Sequence, residues 1–310
     1  MKHLLSLLDV ASADIVGILD RADELAVQWE RQAMPQTLAG RQVCLWFYGQ
    51  GFRNRLAFEI GARSMGAVVS YMPGELGVNE PLQDVGAYLE NWFSMLVVRA
   101  KKHSDLCQLA QAVSIPVVNA RTDRGHPCEI LGDLQFIRRH RGRLDELQVA
   151  FVGEVTNLGI SWFEASNRLP IRVTQVAPKM YLASDDLQQT IQRGTVGEFR
   201  TTTDLDGALK EADVVYTDCW PKGSSPEERQ EIRERFLPYQ ITAAQLAKLP
   251  ETAVFLPCPP VTRGQEVSSD AMQSARCMNT QAKNCLLHAQ NAVMEAVGRG
   301  QAPPLPVAQG

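Results

Sequence analysis

The chain has 310 residues, 45% of them apolar, with a formal net charge of -4. That length and apolar content suffice for two packed domains, each with its own core, and the weak negative charge offers no broad attraction to nucleic acid or to an anionic membrane. No run of about 18 apolar residues marks a membrane span, and seven cysteines without a Cys-x-x-Cys pair argue against a disulfide scaffold or a structural zinc site and for a reducing, cytoplasmic setting, with neither metal nor cofactor expected.

The opening residues Met1–Val10 carry one lysine and several leucines but no convincing cleavage site, so they read as the entry to a folded helix whose periodicity runs over 12–31. The apolar run Val43–Tyr48 reads as a buried strand, followed by the turn Gly49-Gln50-Gly51 and a helix-like segment from Leu56 to Met65. A strand that passes through a glycine turn into a helix aims backbone N–H groups and the positive end of the helix dipole at one point. Arg53 and Arg55, flanking Asn54, add fixed charge and bidentate donors there, so this turn is a candidate anion site. Further strands are predicted over 67–72, 94–98 and 115–118, the second running into Arg99 and the third toward His126-Pro127-Cys128-Glu129. A helix over 130–141 ends in the basic cluster Arg138–Arg143, which reads as a solvated helix end.

A second series of strands follows over 147–152, 171–176, 213–217 and 252–256. The first leads to Gly153 and Asn157, the third to Asp218, Cys219, Trp220 and Lys222, and the last to Cys258 and Arg263. Alternating strands and helices predict an α/β fold of two doubly wound parallel-sheet domains, with ligands at the carboxyl ends of the strands. The expected division is 1–132 for the first domain, rejoined by a closing helix over 280–298, and 133–279 for the second, with helices joining the two. Residues 301–310, rich in Pro, Gly and Ala, read as a flexible tail.

In motif order this chain resembles the aspartate/ornithine carbamoyltransferase family, and more closely its ornithine branch. The family's Ser-Thr-Arg-Thr-Arg phosphate motif corresponds to Gly51-Phe52-Arg53-Asn54-Arg55, with Phe58-Glu59 in register, and its His-Pro-x-Gln signature to His126-Pro127-Cys128-Glu129. Arg99, Asn157, the Asp218-Cys219-Trp220 loop start, and Cys258 with Arg263-Gly264-Gln265-Glu266-Val267 fall at the family's other stations. The resemblance implies that Arg53, Asn54 and Arg55 hold the phosphate, and that Arg99 and His126 act on the carbamoyl carbonyl. It also implies that Cys258 serves the substrate amine, while Asn157, Asp218 and Arg263 contact substrate; Glu129 and Lys222, which depart from the family's residues, are further candidate substrate contacts, the lysine for a carboxylate or another anion. It further implies a homotrimer, with the loop Gly74–Pro81 reaching a neighbouring subunit.

Four departures set the problem. Phe52 stands for a hydroxyl and brings a bulky ring, Glu129 for a glutamine, Cys285 for an arginine, and Asn79 for a lysine or similar residue. Taken position by position, each removes a donor or a positive charge. Three readings follow: a carbamoyltransferase acting on an amino acid or amine with an atypical carbamoyl phosphate site; an enzyme of the same fold acting on a ureido or guanidino compound, which Glu129 would recognise; and a non-catalytic binding homologue. In all three the partners are small molecules, not nucleic acid or membrane.

Overall fold

The computed structural model describes residues 1–299; the segment 301–310, expected to be a flexible tail, lies outside the described residues. The chain forms two compact units, one of Met1–Gln135 with the chain from Lys283 onward, the other of Phe136–Ala282.

The first unit holds a four-stranded, wholly parallel sheet in the order β2-β1-β3-β4, made of β1 (Gln42–Phe47), β2 (Val68–Pro73), β3 (Met95–Arg99) and β4 (Val117–Arg121). Helices α1 (Ser12–Glu30), α2 (Phe52–Ser64), α3 (Leu82–Glu90) and α4 (His103–Ala112) connect or flank these strands. Strand β1 is buried along almost its whole length, the run of apolar side chains expected of a strand covered on both faces. Its Cys44 and Trp46 join Leu96 and Val98 of β3 and Leu106 and Leu109 of α4 in one core. Because β1 continues into β2 on one side and pairs with β3 on the other, the connections reverse direction between β1 and β3. The carboxyl ends at that crevice are Phe47 and Arg99, which face each other in register, and the crevice is where open α/β sheets bind ligands.

The second unit repeats the plan with β5 (Gln148–Val152), β6 (Arg172–Val176), β7 (Glu198–Thr202), β8 (Val214–Thr217) and β9 (Val254–Pro257), all parallel, in the order β7-β6-β5-β8-β9. Here the reversal lies between β5 and β8, whose ends, Val152 and Thr217, lead into Gly153-Glu154 and Asp218. Helices α6 (Asn157–Arg168), α7 (Asp185–Gln192), α8 (Leu205–Glu211), α9 (Pro226–Phe236) and the short α10 (Ala243–Leu246) complete this unit. Two long helices, α5 (Pro127–Arg141) and α11 (Asn279–Gly298), run through the points where the chain passes from one unit to the other.

Sequence and structure differ at two places. Strand β7 was not predicted: its Glu-Phe-Arg-Thr-Thr is polar because it is the outermost strand and buries only Phe199 well. Helix α2 begins at Phe52, one turn before the periodicity suggested, since Gly51 is its N-cap and the first turn is Phe-Arg-Asn-Arg, without apolar spacing.

Candidate active site

In the first unit the site is built on a single steric fact. Gly51 sits in the left-handed region, with φ of 40°, and a Cβ there would stand 2.9 Å from Nε and 3.0 Å from Cδ of Arg99. The turn therefore wraps onto the Arg99 side chain, and the missing side chain at position 51 makes room for that arginine. Arg99 is partly buried, and its Nε has no hydrogen-bond partner among the described residues. Burial, then the neighbouring Arg121, pushes its guanidinium down to about 10, so it remains charged at neutral pH. A desolvated cation with an unspent donor is unfavourable unless an anion completes it.

Asn54 points inward from α2. It is buried, donates from Nδ2 to the Ala120 carbonyl at 2.7 Å, accepts from Gln290 Nε2 of α11 at 2.7 Å, and lies 3.4 Å from His126 Nε2. It positions β4, α11 and His126 together, and these contacts occupy the amide. His126, at the start of α5, is buried, and its pKa is pulled down to about 4, chiefly by burial, with Glu129 opposing and Arg99, Arg121 and Lys283 adding to the lowering. The ring is therefore neutral at pH 7, a hydrogen-bonding group and not a charge.

Glu129 is the largest surprise. From sequence it is an open carboxylate, but its Oε1 lies 2.6 Å from Lys283 Nζ, and Lys283 also bonds Asp133 at 2.8 and 3.1 Å. Burial raises the Glu129 carboxyl, but Lys283 and then His126 outweigh it, and the net shift is downward. Lys283 enters from α11, two residues before Cys285, which is itself buried. Its approach requires close helix packing: a Cβ on Gly132 of α5 would stand 3.0 Å from the Leu286 Cα. The expectation that every departure lowers the positive potential thus fails at Glu129, because a lysine absent from the motifs neutralises it.

The remaining predicted residues of this unit divide. Arg53 makes no ion pair among the described residues, lies with its guanidinium 4.7 Å over the Phe52 ring, and acts on Glu129 through its charge. Arg55 is engaged elsewhere: it pairs with Glu59 at 2.9 Å and lies 4.7 Å over Tyr71. Phe52, expected to fill the anion pocket, is 53% exposed, in a row with exposed Leu56 and Ile60 at four-residue spacing. In the Gly74–Pro81 loop, Glu75 pairs with Lys101 at 2.5 Å, while Asn79 is exposed.

In the second unit the ends of β5 and β8 gather carboxylates. Asp218 is buried and accepts from the Cys219 amide at 2.8 Å; Glu154 is pushed up by burial and by Asp218; Glu266 is pushed up by burial and by the same neighbour, and its Oε2 has no hydrogen-bond partner among the described residues. Glu154 and Glu266 were not singled out from sequence, though the first directly follows the glycine turn after β5. Asn157 opens α6 just after its cap Thr156, and its Nδ2 is buried with no partner among the described residues. This set offers acceptors for an ammonium group and one donor for a carboxylate. Cys258 is buried, its Sγ 3.7 Å from the Pro259 carbonyl. Burial, then Asp218, pushes the adjacent Cys219 thiol up to about 12, so it stays protonated. Lys222 is exposed, and Arg263 is exposed and donates to the Ser269 carbonyl at 3.2 Å, so its charge supports its own loop.

Among the described residues no group of three or more His, Cys, Asp or Glu could hold a metal ion, and no helix is long and apolar enough to cross a membrane.

Comparison with known proteins accounts for both units. Residues 2–139 match the carbamoyl-P binding domain of aspartate/ornithine carbamoyltransferases, and 145–297 match the Asp/Orn binding domain. Ornithine carbamoyltransferase of Methanothermobacter thermautotrophicus is 32% identical over 300 residues, covering 95% of this chain and 98% of the relative. That of a Psychrobacter species is 29% identical over 298 residues, covering 95% and 96%. The solved ornithine carbamoyltransferase of Pyrococcus furiosus superposes with a TM-score of 0.90 at 27% identity, covering 97% of this chain and 98% of that one. The chain belongs to the aspartate/ornithine carbamoyltransferase family and is a transferase.

Proposed function

We propose that this family member transfers the carbamoyl group of carbamoyl phosphate to the amino group of an amino acid, ornithine being the acceptor named in its relatives. The observation that carries this reading is the pair Arg53 and Arg99: two guanidiniums beside the α2 N-terminus, neither ion-paired among the described residues, next to a neutral buried imidazole. In this reading the arginines and the first N–H groups of α2 hold the phosphate, and Arg99 and His126 polarise the carbonyl by hydrogen bonding. The acceptor nitrogen, uncharged, attacks that carbon; the C–N bond forms, the C–O bond to phosphate breaks, phosphate leaves, and the nitrogen sheds a proton. A neutral His126 suits this role because it adds no competing positive charge near the incoming amine. The second unit binds the acceptor, with Asp218 and Glu154 on its remaining ammonium group and Asn157 on the carboxylate; Cys258 follows β9, whose last residue Pro257 pairs with Thr217 just before Asp218. Lys222 and Arg263, both exposed, have no role in this reading.

The donor site is atypical in its donors. Gly51 and Phe52 give no side-chain hydrogen bond, but Glu129 is neutralised by Lys283. That pairing also removes the support for a guanidino ligand, because the carboxylate that would recognise it already has its cation. A subunit contact, as a homotrimer needs, is supported by the exposed apolar row Phe52, Leu56 and Ile60 on α2 and by exposed Val68 and Tyr71 on the edge strand β2. The test is a colorimetric assay of carbamoyl transfer with carbamoyl phosphate and ornithine, aspartate or putrescine. Product with ornithine and none in Arg99→Gln supports the reading; no product with any acceptor overturns it.

A further inference from the structure

The end of β4 carries a cation that no motif pointed to. Strands β3 and β4 pair Val98 with Asn119, but the next pair is Arg99 with Arg121, so β4 has one extra residue, Ala120. In an unbroken register Arg99 would face Ala120, and Arg121 would face Ala100 on the other side of the sheet. The bulge re-aims Arg121 so that it stands opposite Arg99 on the same face. The Ala120 carbonyl is held by Asn54, and the Ala100 N–H donates to the Arg121 carbonyl at 2.9 Å, so the shifted register is fixed from both sides.

Two guanidiniums placed side by side repel unless something anionic lies between them. Neither Arg99 nor Arg121 has an ion pair or side-chain hydrogen bond among the described residues, and each lies close enough to act on His126. Glu129, the carboxylate that favours Arg99, is committed to Lys283. Arg53, Arg99, Arg121 and Lys283 thus share two carboxylates, Glu129 and Asp133, and His126 contributes no charge at neutral pH. The excess is positive and the donors are forked, the pattern that recognises a phosphate group.

We propose that Arg121 is a second clamping arginine of the donor site, which with Arg99 grips a phosphate group and supplies the hydrogen bonds that Gly51 and Phe52 cannot. This rests on the reading of the first unit as the site of a phosphate-bearing donor. It also explains how the turn functions without hydroxyls: the donors come from the neighbouring strand.

The test is calorimetry with inorganic phosphate on the full chain at fixed ionic strength, for wild type, Arg121→Leu, Arg121→Lys and Arg143→Leu, the last removing the same charge at a surface position in the second unit. Arg121→Leu should weaken phosphate binding by roughly 10- to 100-fold, the worth of one charge-assisted hydrogen-bonding group. Arg121→Lys, which keeps the charge but loses the fork, should fall between, and Arg143→Leu should stay within about twofold of wild type. Without phosphate, Arg121→Leu should melt at or above the wild-type temperature, because a repulsion is removed. Phosphate affinity within about twofold of wild type in Arg121→Leu, or no phosphate binding by the wild type, overturns the proposal. Competition by carbamoyl phosphate separates the two readings. Arg121-dependent phosphate binding without competition sinks the donor assignment and keeps the arginine clamp, whereas competed binding indifferent to Arg121 does the reverse.

Discussion

Replacing Lys283 by methionine keeps the length of the side chain and removes a cation that lies within bonding distance of both Glu129 and Asp133. The side chains of these carboxylates are only 9% and 1% exposed, so water cannot take over from the ammonium. Breaking a buried pair by deleting one partner costs about 3–5 kcal/mol, most of it the penalty of a stranded charge. For a cooperative unit of this size, that corresponds to a drop in melting temperature of roughly 6–20 °C. The pH dependence follows from the sign of the shift. In the wild type the Glu129 carboxyl is held below its ordinary value, so its contribution is present above about pH 4.5 and fades as pH falls through the folded value. In the variant, burial acts without Lys283 and the carboxyl moves upward, so the penalty grows with rising pH and shrinks toward pH 5. Urea melts of wild type and variant at pH 8 and pH 5 read this as a difference between the two proteins, in which the His126 contribution that both share over this range largely cancels. Glu129→Gln in the Lys283→Met background should recover part of the loss, with a coupling of about 0.5–3 kcal/mol. A cost below about 1 kcal/mol at pH 8, or one that does not change with pH, would refute the claim that Lys283 neutralises Glu129.

Gly51→Ser restores a hydroxyl to the turn, yet it should weaken phosphate binding, since the new Cβ meets Arg99 in a left-handed backbone position; tighter binding by calorimetry would show that Arg99 can yield. His126 takes up its proton only near pH 4 in the folded chain but near 6.5 when unfolded, so stability should fall by about 2 kcal/mol between pH 7 and pH 5 through this group. In His126→Asn that part of the slope should vanish from the urea midpoints. Arg55→Gln should leave phosphate affinity nearly unchanged, because Glu59 and Tyr71 already engage Arg55; a tenfold loss in the same titration would place Arg55 in the anion site.

The architecture was legible because the apolar runs are nearly continuous in fully covered parallel strands and every glycine turn or polar cluster follows one of them. Eight of the strand segments read from sequence have counterparts, and β7 escaped because a polar edge strand lacks the signal that marks a buried one. Within the site, Arg99 is readable as the residue that ends a strand, and His126 as the head of the His-Pro motif beyond the next one. Arg53 and Arg55 were read alike, being two residues apart in one motif. Successive helix positions point in different directions, however, and the nearby Glu59, one turn on, claims Arg55.

What the sequence concealed is the charge balance. A motif is compared one position at a time, so Glu129 in place of glutamine registers as a lost donor and an added negative charge. Electrostatics acts through distance: the compensating Lys283 lies 154 residues along the chain and reaches Glu129 because α5 and α11 pack closely at Gly132. The same holds at the turn, where Gly51 counts as a missing hydroxyl until the Arg99 side chain is seen in the space a larger residue would fill. Arg121 is hidden more deeply still, because its face is decided by a one-residue bulge, and no periodicity reports a bulge inside a five-residue strand. In each case the apparent loss and its compensation lie on different elements, and the physical unit is the set of side chains sharing one low-dielectric space. Variants made one position at a time should therefore mislead in this site: Glu129→Gln alone leaves Lys283 and Asp133 as a one-to-one pair, whereas the same change made together with Lys283→Met leaves Asp133 without that cation, so its effect differs in size, and can differ in sign, between the two backgrounds.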